Sequence, residues 1–166
     1  EGFLFMDEKF DAVVVGAGPA GTAAALTMAR AGLNVVLIER GEFPGAKNLF
    51  GGVLYRKQIE ELVPDFWKEK NAPVERYIVE QRIWLMGKDS VVTFSHRNEA
   101  FKEPPNCFTG LRVKFDQWFA NKAVEAGALP VYETVVTDVI REGNKVVGVR
   151  TDRDDGDLYA DVVVIA

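Results

Sequence analysis

Three glycines and one carboxylate carry the clearest chemistry in this chain. Gly16, Gly18 and Gly21 take the first, third and sixth places of the run Gly16-Ala17-Gly18-Pro19-Ala20-Gly21, and Glu39 follows at the end of an apolar stretch. The spacing suits a strand that turns sharply into a helix. The first glycine permits the turn, the second leaves bare backbone that a phosphate can approach, and the third lets the helix pack close to the strand. Free N–H groups and the positive dipole end at the helix start form an anion site. The carboxylate lies close to the ~20-residue separation expected from such a turn. There it can accept hydrogen bonds from both hydroxyls of a ribose, and it repels a 2′-phosphate. The combined chemistry fits the pyrophosphate and ribose of an adenine dinucleotide, and these residues leave FAD and NAD unseparated.

The elements that must hold these groups surround them. Residues 10–15 (FDAVVV) are β-rich and nearly all apolar, as in a strand buried on both faces of a parallel sheet. Pro19 falls in the first turn of the expected helix, where its missing N–H costs nothing and its fixed φ fits. Residues 20–31 are dominated by alanine, which suits a helix lying tight on a sheet, and Gly32 ends it. Residues 33–38 form a second buried strand with Glu39 at its tip. The fold class read from this unit is α/β, a Rossmann-like dinucleotide-binding fold around a parallel central sheet.

Composition narrows the function classes. With 166 residues the chain fits one domain with a real core, and 48% hydrophobic against 27% charged residues places it among globular proteins. A net charge of −5 with no basic stripe argues against a nucleic-acid partner. No apolar run reaches the ~18 residues needed to span a bilayer, and no secretory signal is read. Glu1 to Phe5 precede Met6, so residues 1–8 are taken as an N-terminal extension and residues 9–166 as the binding domain. Cys107 and His96 are single residues of their types. Cys107 reads as a small buried thiol and His96 as part of a strand end entering a polar loop, and no metal site is expected.

Downstream of Glu39, residues 40–52 contain Gly41, Pro44, Gly45, Gly51 and Gly52 and read as a long loop. Lys47 can meet an anion there, and Gly51-Gly52 can let backbone approach a flat ring or a phosphate. A plain surface connection fits these residues equally well. Residues 55–70 are helical in composition, broken near Pro64. Residues 77–86 and 90–95 form an expected hairpin, with Trp84 and Phe94 as packing residues. This β-hairpin or meander layer interrupts the parallel sheet and begins an inserted substrate-side layer. Residues 110–119 open another helix, whose Phe115, Trp118, Phe119, Ala123 and Ala126 repeat at helical spacing. Arg112 stands at its start, where the dipole does not help a cation, so a solvated surface arginine is the simpler reading. Residues 128–141 are expected to form one long strand bent near Thr137-Asp138, paired with 145–151. Val162-Val163-Val164-Ile165 reads as a strand buried on both faces. A chain stopping after such a strand is expected to be the N-terminal piece of something longer.

With these residues laid out, the chain resembles the N-terminal part of the electron-transfer-flavoprotein:quinone oxidoreductase family, and within it the FixC-type members. The resemblance rests on DAVVVGAGPAGTAAALTMARAGLNVVLIERG, on the more distinctive FPGAKNLFGGVLY, and on LRVKFDQWFANKAVEAGA. The last is also similar to geranylgeranyl reductases and, more distantly, to hydroxylase-type monooxygenases. The resemblance implies FAD rather than NAD, with Gly16, Ala17, Gly18, Pro19, Ala20 and Gly21 at the pyrophosphate and Glu39 with Arg40 at the adenosine ribose. It implies flavin contacts for Lys47, Asn48, Gly51 and Gly52, a cofactor contact for Arg112, and a backbone contact to adenine at Val136. It further implies an FAD-dependent oxidoreductase that takes electrons from an electron-transfer flavoprotein, or a related carrier, and gives them to quinone. That protein would work in the cytoplasm, peripheral at the inner membrane surface through a C-terminal region outside this sequence. A prenyl reductase, a monooxygenase-type flavoenzyme and a non-catalytic flavin-binding subunit are the alternatives. No side chain is assigned a catalytic role.

Overall fold

In the computed structural model, which describes residues 9–166, the apolar run after Lys9 forms strand β1 (Lys9–Val15). It leads into helix α1 (Pro19–Arg30) and strand β2 (Val35–Ile38), all four residues of which are buried. Next come β3 (Gly51–Tyr55), the short helix α2 (Arg56–Glu60), β4 (Arg76–Tyr77), the hairpin strands β5 (Glu80–Met86) and β6 (Val91–Arg97), and β7 (Cys107–Leu111). Helix α3 (Arg112–Glu125) follows β7 directly. The chain continues through β8 (Leu129–Val131), β9 (Val136–Glu142), β10 (Lys145–Thr151) and β11 (Leu158–Ile165). The expected extension at residues 1–8 lies outside the described residues.

The described residues divide into two units, residues 9–49 with Arg112–Ala166, and Phe50–Leu111. The first is built on a six-stranded sheet in the order β8-β2-β1-β11-β10-β9. Strands β8, β2, β1 and β11 run parallel, and β10 and β9 close the sheet antiparallel. This is the expected α/β fold with a parallel centre. Helix α1 packs on β1 and β2 and against α3. Its small residues permit close approach, since Ala25 and Leu26 are fully buried. A second core cluster joins Val13, Val36 and Ile38 with Val131, Val149 and Leu158. The register pairs Val13 with Val36 and Val15 with Ile38, so these side chains share one sheet face. Phe10, Ala12, Val13, Val14 and all four residues of β2 are buried as expected, but Val15 is only half-buried and the second strand begins at Val35, with Leu33 41% exposed ahead of it.

Three further expectations in this unit change. Residues 128–141 do not form one strand. β8 ends at Val131, and the backbone then pairs with the segment after β2: the Glu133 N–H donates to the Gly41 carbonyl at 3.0 Å and the Thr134 N–H to the Glu39 carbonyl at 3.1 Å. Glu133 adopts a left-handed φ of 52°, which turns the chain away before β9 begins. Strand β11 is not buried on both faces, since Val162 and Ile165 are 52% and 67% exposed. The covering helix α1 lies over the neighbouring strands β1 and β2. Ala126, at the end of the α3 stripe, is only half-buried, whereas Phe115, Trp118, Phe119 and Ala123 are buried as expected.

The second unit holds a three-stranded sheet, β3-β7-β4, and the separate two-stranded hairpin β5-β6. β7 includes Gly110 and Leu111, which the sequence pattern assigns to the next helix. Its ladder with β3, from Gly51–Leu111 to Tyr55–Cys107, decides otherwise. The expected helix over 55–70 contracts to α2, followed past Pro64 by a single 3₁₀ turn at Phe66–Lys68. Asp65, at a left-handed φ of 56°, separates the two. Trp84 and Phe94, expected to pack, are 57% and 59% exposed. The hairpin pairs only with itself, so within this unit no third strand or facing layer shields it.

Candidate functional site

The glycine turn is built as its spacing dictates, and each glycine has a separate physical reason. Gly16 sits at φ 103°, and its N–H donates to the Ile38 carbonyl at 2.8 Å, joining the tips of β1 and β2. A Cβ on Gly21 would collide with the Gly16 carbonyl oxygen and press on Val14, so this glycine sets how closely α1 approaches β1. Gly18 is different. Its backbone is extended, and a Cβ there would meet only Arg112 Nη2, at 3.9 Å. Neither conformation nor protein packing requires glycine at that place; the space its missing Cβ leaves is open to a ligand. No side chain caps α1, no acidic residue stands in its first turn, and Pro19 fills the first helical place. The first intrahelical bond joins the Thr22 N–H to the Gly18 carbonyl at 2.9 Å. The N–H groups of Ala20 and Gly21 precede it and are the donors such a helix start offers an anion.

Glu39 is placed at the tip of β2 as expected, with partners the sequence pattern does not reveal. Its Oε2 accepts from the Ala17 N–H at 3.1 Å and its Oε1 from the Gly41 N–H at 2.8 Å. The carboxylate therefore ties the glycine turn to the loop beyond β2. Each oxygen keeps further acceptor capacity for ribose hydroxyls. Tyr132 lies close by; burial, and then the Glu39 charge, push its phenol above the ordinary value.

Opposite this backbone-built part stands a side-chain network. Arg112 makes a two-pronged contact with Asp116, Nε to Oδ1 at 2.8 Å and Nη2 to Oδ2 at 2.9 Å. Asn48 Nδ2 donates to the same Oδ2 at 3.0 Å. Asp116 is almost fully buried. Its hydrogen bond holds the Arg112 guanidinium above its ordinary value, against a smaller opposing effect of burial. Gly45, at φ 85°, lets the loop lie on the first turn of α3; a Cβ there would stand 3.0 Å from Asp116 Cβ and 3.1 Å from the Arg112 carbonyl. The sequence pattern does not single out Asp116 and Gly45 as site residues. The available signal was a carboxylate inside the apolar stripe of α3, four residues after an arginine.

A cleft of about 410 Å³ runs between these features. Gly16, Gly18, Glu39, Arg40, Lys47, Asn48 and Val136 line it, joined by Gly45, Asp116 and Thr134. Ala17 and Gly21 are buried behind the turn, and Pro19 and Ala20 form the first turn of α1. Arg112 supports the wall through Asp116. Arg40 and Lys47 are exposed, and neither takes part in an ion pair among the described residues. Gly51 and Gly52 belong to β3 in the second unit, where they pair with Leu111 and Gly110. Cys107 is buried in β7, and the His96 ring lies 5.7 Å from that of Phe101. Among the described residues no cluster of His, Cys, Asp and Glu is arranged to hold a metal.

The arrangement fits a dinucleotide: a helix start with no side-chain cap and open space beside Gly18, cations at the rim that form no ion pair among the described residues, and a carboxylate at the strand tip. Known proteins agree with it. The profile of the family described as FAD dependent oxidoreductase matches residues 11–164. Protein FixC of Bradyrhizobium diazoefficiens is 52% identical over 163 residues, which cover 97% of this chain and 37% of that protein. A probable electron transfer flavoprotein-quinone oxidoreductase of Escherichia coli, YdiS, is 44% identical over 161 residues, covering 96% of this chain and 37% of the relative. Among solved structures, a geranylgeranyl bacteriochlorophyll reductase-like protein of Thermoplasma acidophilum superposes with a TM-score of 0.78 at 27% identity, covering 96% of this chain and 39% of that one. The chain thus spans little more than a third of the length of the curated relatives it matches.

Proposed function

Because this chain belongs to the FAD dependent oxidoreductase family, we propose that its cleft holds the adenosine and pyrophosphate of FAD in a protein that passes electrons from an electron-transfer flavoprotein to quinone. FAD is the cofactor of the family, and when bound it supplies the ring that accepts and releases electrons. This chain's own residues bind and orient it. The N–H groups of Ala20 and Gly21, with the dipole of α1, take the pyrophosphate in the space beside Gly18. Glu39 takes the ribose hydroxyls while keeping its bonds to Ala17 and Gly41, and Arg40 flanks it. Lys47 adds charge at the rim, and Val136 offers backbone to the adenine. Gly51 and Gly52, on their own strand, are assigned to the flavin. The open space at Gly18 carries the reading, because no feature of the protein alone requires glycine there.

The donor and acceptor rest on the similarity to the probable electron transfer flavoprotein-quinone oxidoreductase, 44% identical to this chain. The same reading puts the whole protein in the cytoplasm, docked peripherally at the inner membrane; no described helix is long and apolar enough to cross one. A prenyl reductase is the second reading, favoured by the 0.78 TM-score to the reductase-like structure. Against it, the FPGAKNLFGG loop holds no cysteine of the kind such reductases tend to carry there.

The test uses full-length protein reconstituted with FAD. It should show flavin absorption near ~450 nm and reduce a short-chain quinone when mixed with reduced electron-transfer flavoprotein. Flavin bands without quinone reduction would reject the electron-transfer role and leave the cofactor standing. Glu39→Ala should weaken FAD binding about 10- to 100-fold, the scale of a hydrogen bond to a charged group. Unchanged affinity, measured by quenching of flavin fluorescence, would contradict the ribose assignment.

A further inference from the structure

We propose that Asp116 is a positioning residue that presents Arg112 to the cofactor as one half of a neutral pair and fixes the Asn48 loop to helix α3. The inference rests on the FAD reading above and goes beyond it by assigning work to a residue that touches no expected cofactor atom. Three observations carry it. Asp116 is almost fully buried yet accepts three hydrogen bonds, two from Arg112 and one from Asn48 across 68 residues of sequence. A guanidinium has five N–H donors. Asp116 engages Nε and one on Nη2, which leaves the Nη1 pair and one Nη2 hydrogen to a ligand; Nη2 also lies 3.9 Å from where a Gly18 Cβ would stand. Gly45 admits no side chain between the loop and the first turn of α3 without displacement, so the loop conformation is already set by the helix.

The charge arithmetic divides the labour in the cleft. The carboxylate offsets the guanidinium, so Arg112 acts beside Gly18 as a fixed hydrogen-bond donor rather than as a full positive charge. The charge of the pyrophosphate is then met by the start of α1 and by Arg40 and Lys47, which carry no ion pair among the described residues. A part-buried pair of this geometry is screened less by salt than exposed cations, whose interactions fade beyond ~8–10 Å. Removing the Asp116 charge exposes a full positive charge beside the glycine turn and frees the loop.

The experiment measures FAD affinity of the full-length protein by fluorescence over a range of salt, alongside the thermal midpoint of the apoprotein. Asp116→Asn should raise Kd about 10-fold at ordinary salt, and the salt dependence of Kd should become steeper. In the double variant Asp116→Asn/Arg112→Gln, that extra salt dependence should disappear and the loss should be smaller than the product of the two single losses. Asn48→Ala, which keeps the buried pair, should raise Kd about 3- to 10-fold with the wild-type salt dependence; it serves also if Asp116→Asn does not fold. Wild-type affinity in Asn48→Ala overturns the proposal. So does an Asp116→Asn loss that has the wild-type salt dependence and multiplies independently with Arg112→Gln. Wild-type protein that binds no FAD overturns the cofactor reading and this inference with it. FAD binding that Asp116→Asn leaves unchanged overturns this inference alone.

Discussion

Two phenylalanines on strands of the Phe50–Leu111 unit have opposite fates. Phe108 on β7 is fully buried, with Phe66 and Tyr77 rings centred 5.5 Å away and Trp67 at 6.4 Å. Phe94 on β6 is 59% exposed, opposite Ile83 on a hairpin whose other large side chains are exposed too. In sequence only the β6 run reads as a strand, as half of the expected hairpin, whereas β7 falls between an expected loop and a helix expected to open at Gly110. The difference lies in company. β7 is the central strand of three, and the turn at Phe66–Lys68 lays an aromatic layer beside it; the hairpin has only its own two strands. Burial here is set by how many elements meet at a strand.

The first prediction tests that difference at its largest. Phe108→Ala should cost about 3–5 kcal/mol, the range for truncating a buried aromatic. Edge-to-face ring pairs account for ~0.5–1.5 kcal/mol of such a loss beyond area. Denaturant unfolding of this 166-residue chain measures it, and a loss below ~1 kcal/mol would mean that the cluster is loose. Phe94→Ala in the same chain should stay within about 0.5 kcal/mol of wild type, as for surface substitutions generally. A cost matching that of Phe108 would show that the hairpin face is covered, by a second copy or by a part of the chain packed upon it, and the comparison would break.

The same rule explains what could be read in advance. The unit from β1 to β2 was legible because its determinants are local: the glycine spacing, the helix of small residues and the acid at the strand tip all lie within 30 residues. Both faces of β1 and β2 are covered, so their apolar runs are a true signal of burial. The β8–β9 break was not legible, because it depends on Glu133 and Thr134 pairing with the backbone of residues 39–41. Glu39 is legible at the strand tip, but its bonds to Ala17 and Gly41 are not, since the choice of donors is made by the folded turn and loop. Asp116 lay unread for a similar reason. Arg112 is four residues away, yet the third partner, Asn48, comes from a distant loop that only Gly45 allows to lie so close.

The smallest expected effect sharpens the contrast from the polar side. Within its unit the hairpin pairs with no third strand, and side-chain contacts link β5 to β6 near its open end. Glu80 Oε1 accepts from Arg82 Nε at 2.6 Å and from the Ser95 hydroxyl at 2.7 Å, and Arg97 lies 3.8 Å from Oε2. The Arg82 hydrogen bond, then that of Ser95, hold the Glu80 carboxyl well below 4.5, at about 2. Because the folded value lies below the unfolded one, the ionised group favours the folded hairpin. That contribution is complete above the unfolded value of 4.5 and is lost as pH falls through the folded value of about 2. Exposure and salt keep it small. Stability measured between pH 6 and about pH 2, for the chain and for Glu80→Gln, should show a slightly steeper acid loss in the wild type. Chemical-shift titration of the Glu80 side chain should give a midpoint well under that of an ordinary glutamate. An ordinary midpoint would mean that Arg82 and Ser95 leave the carboxylate to water in solution, and that the hairpin is held by its ladder alone.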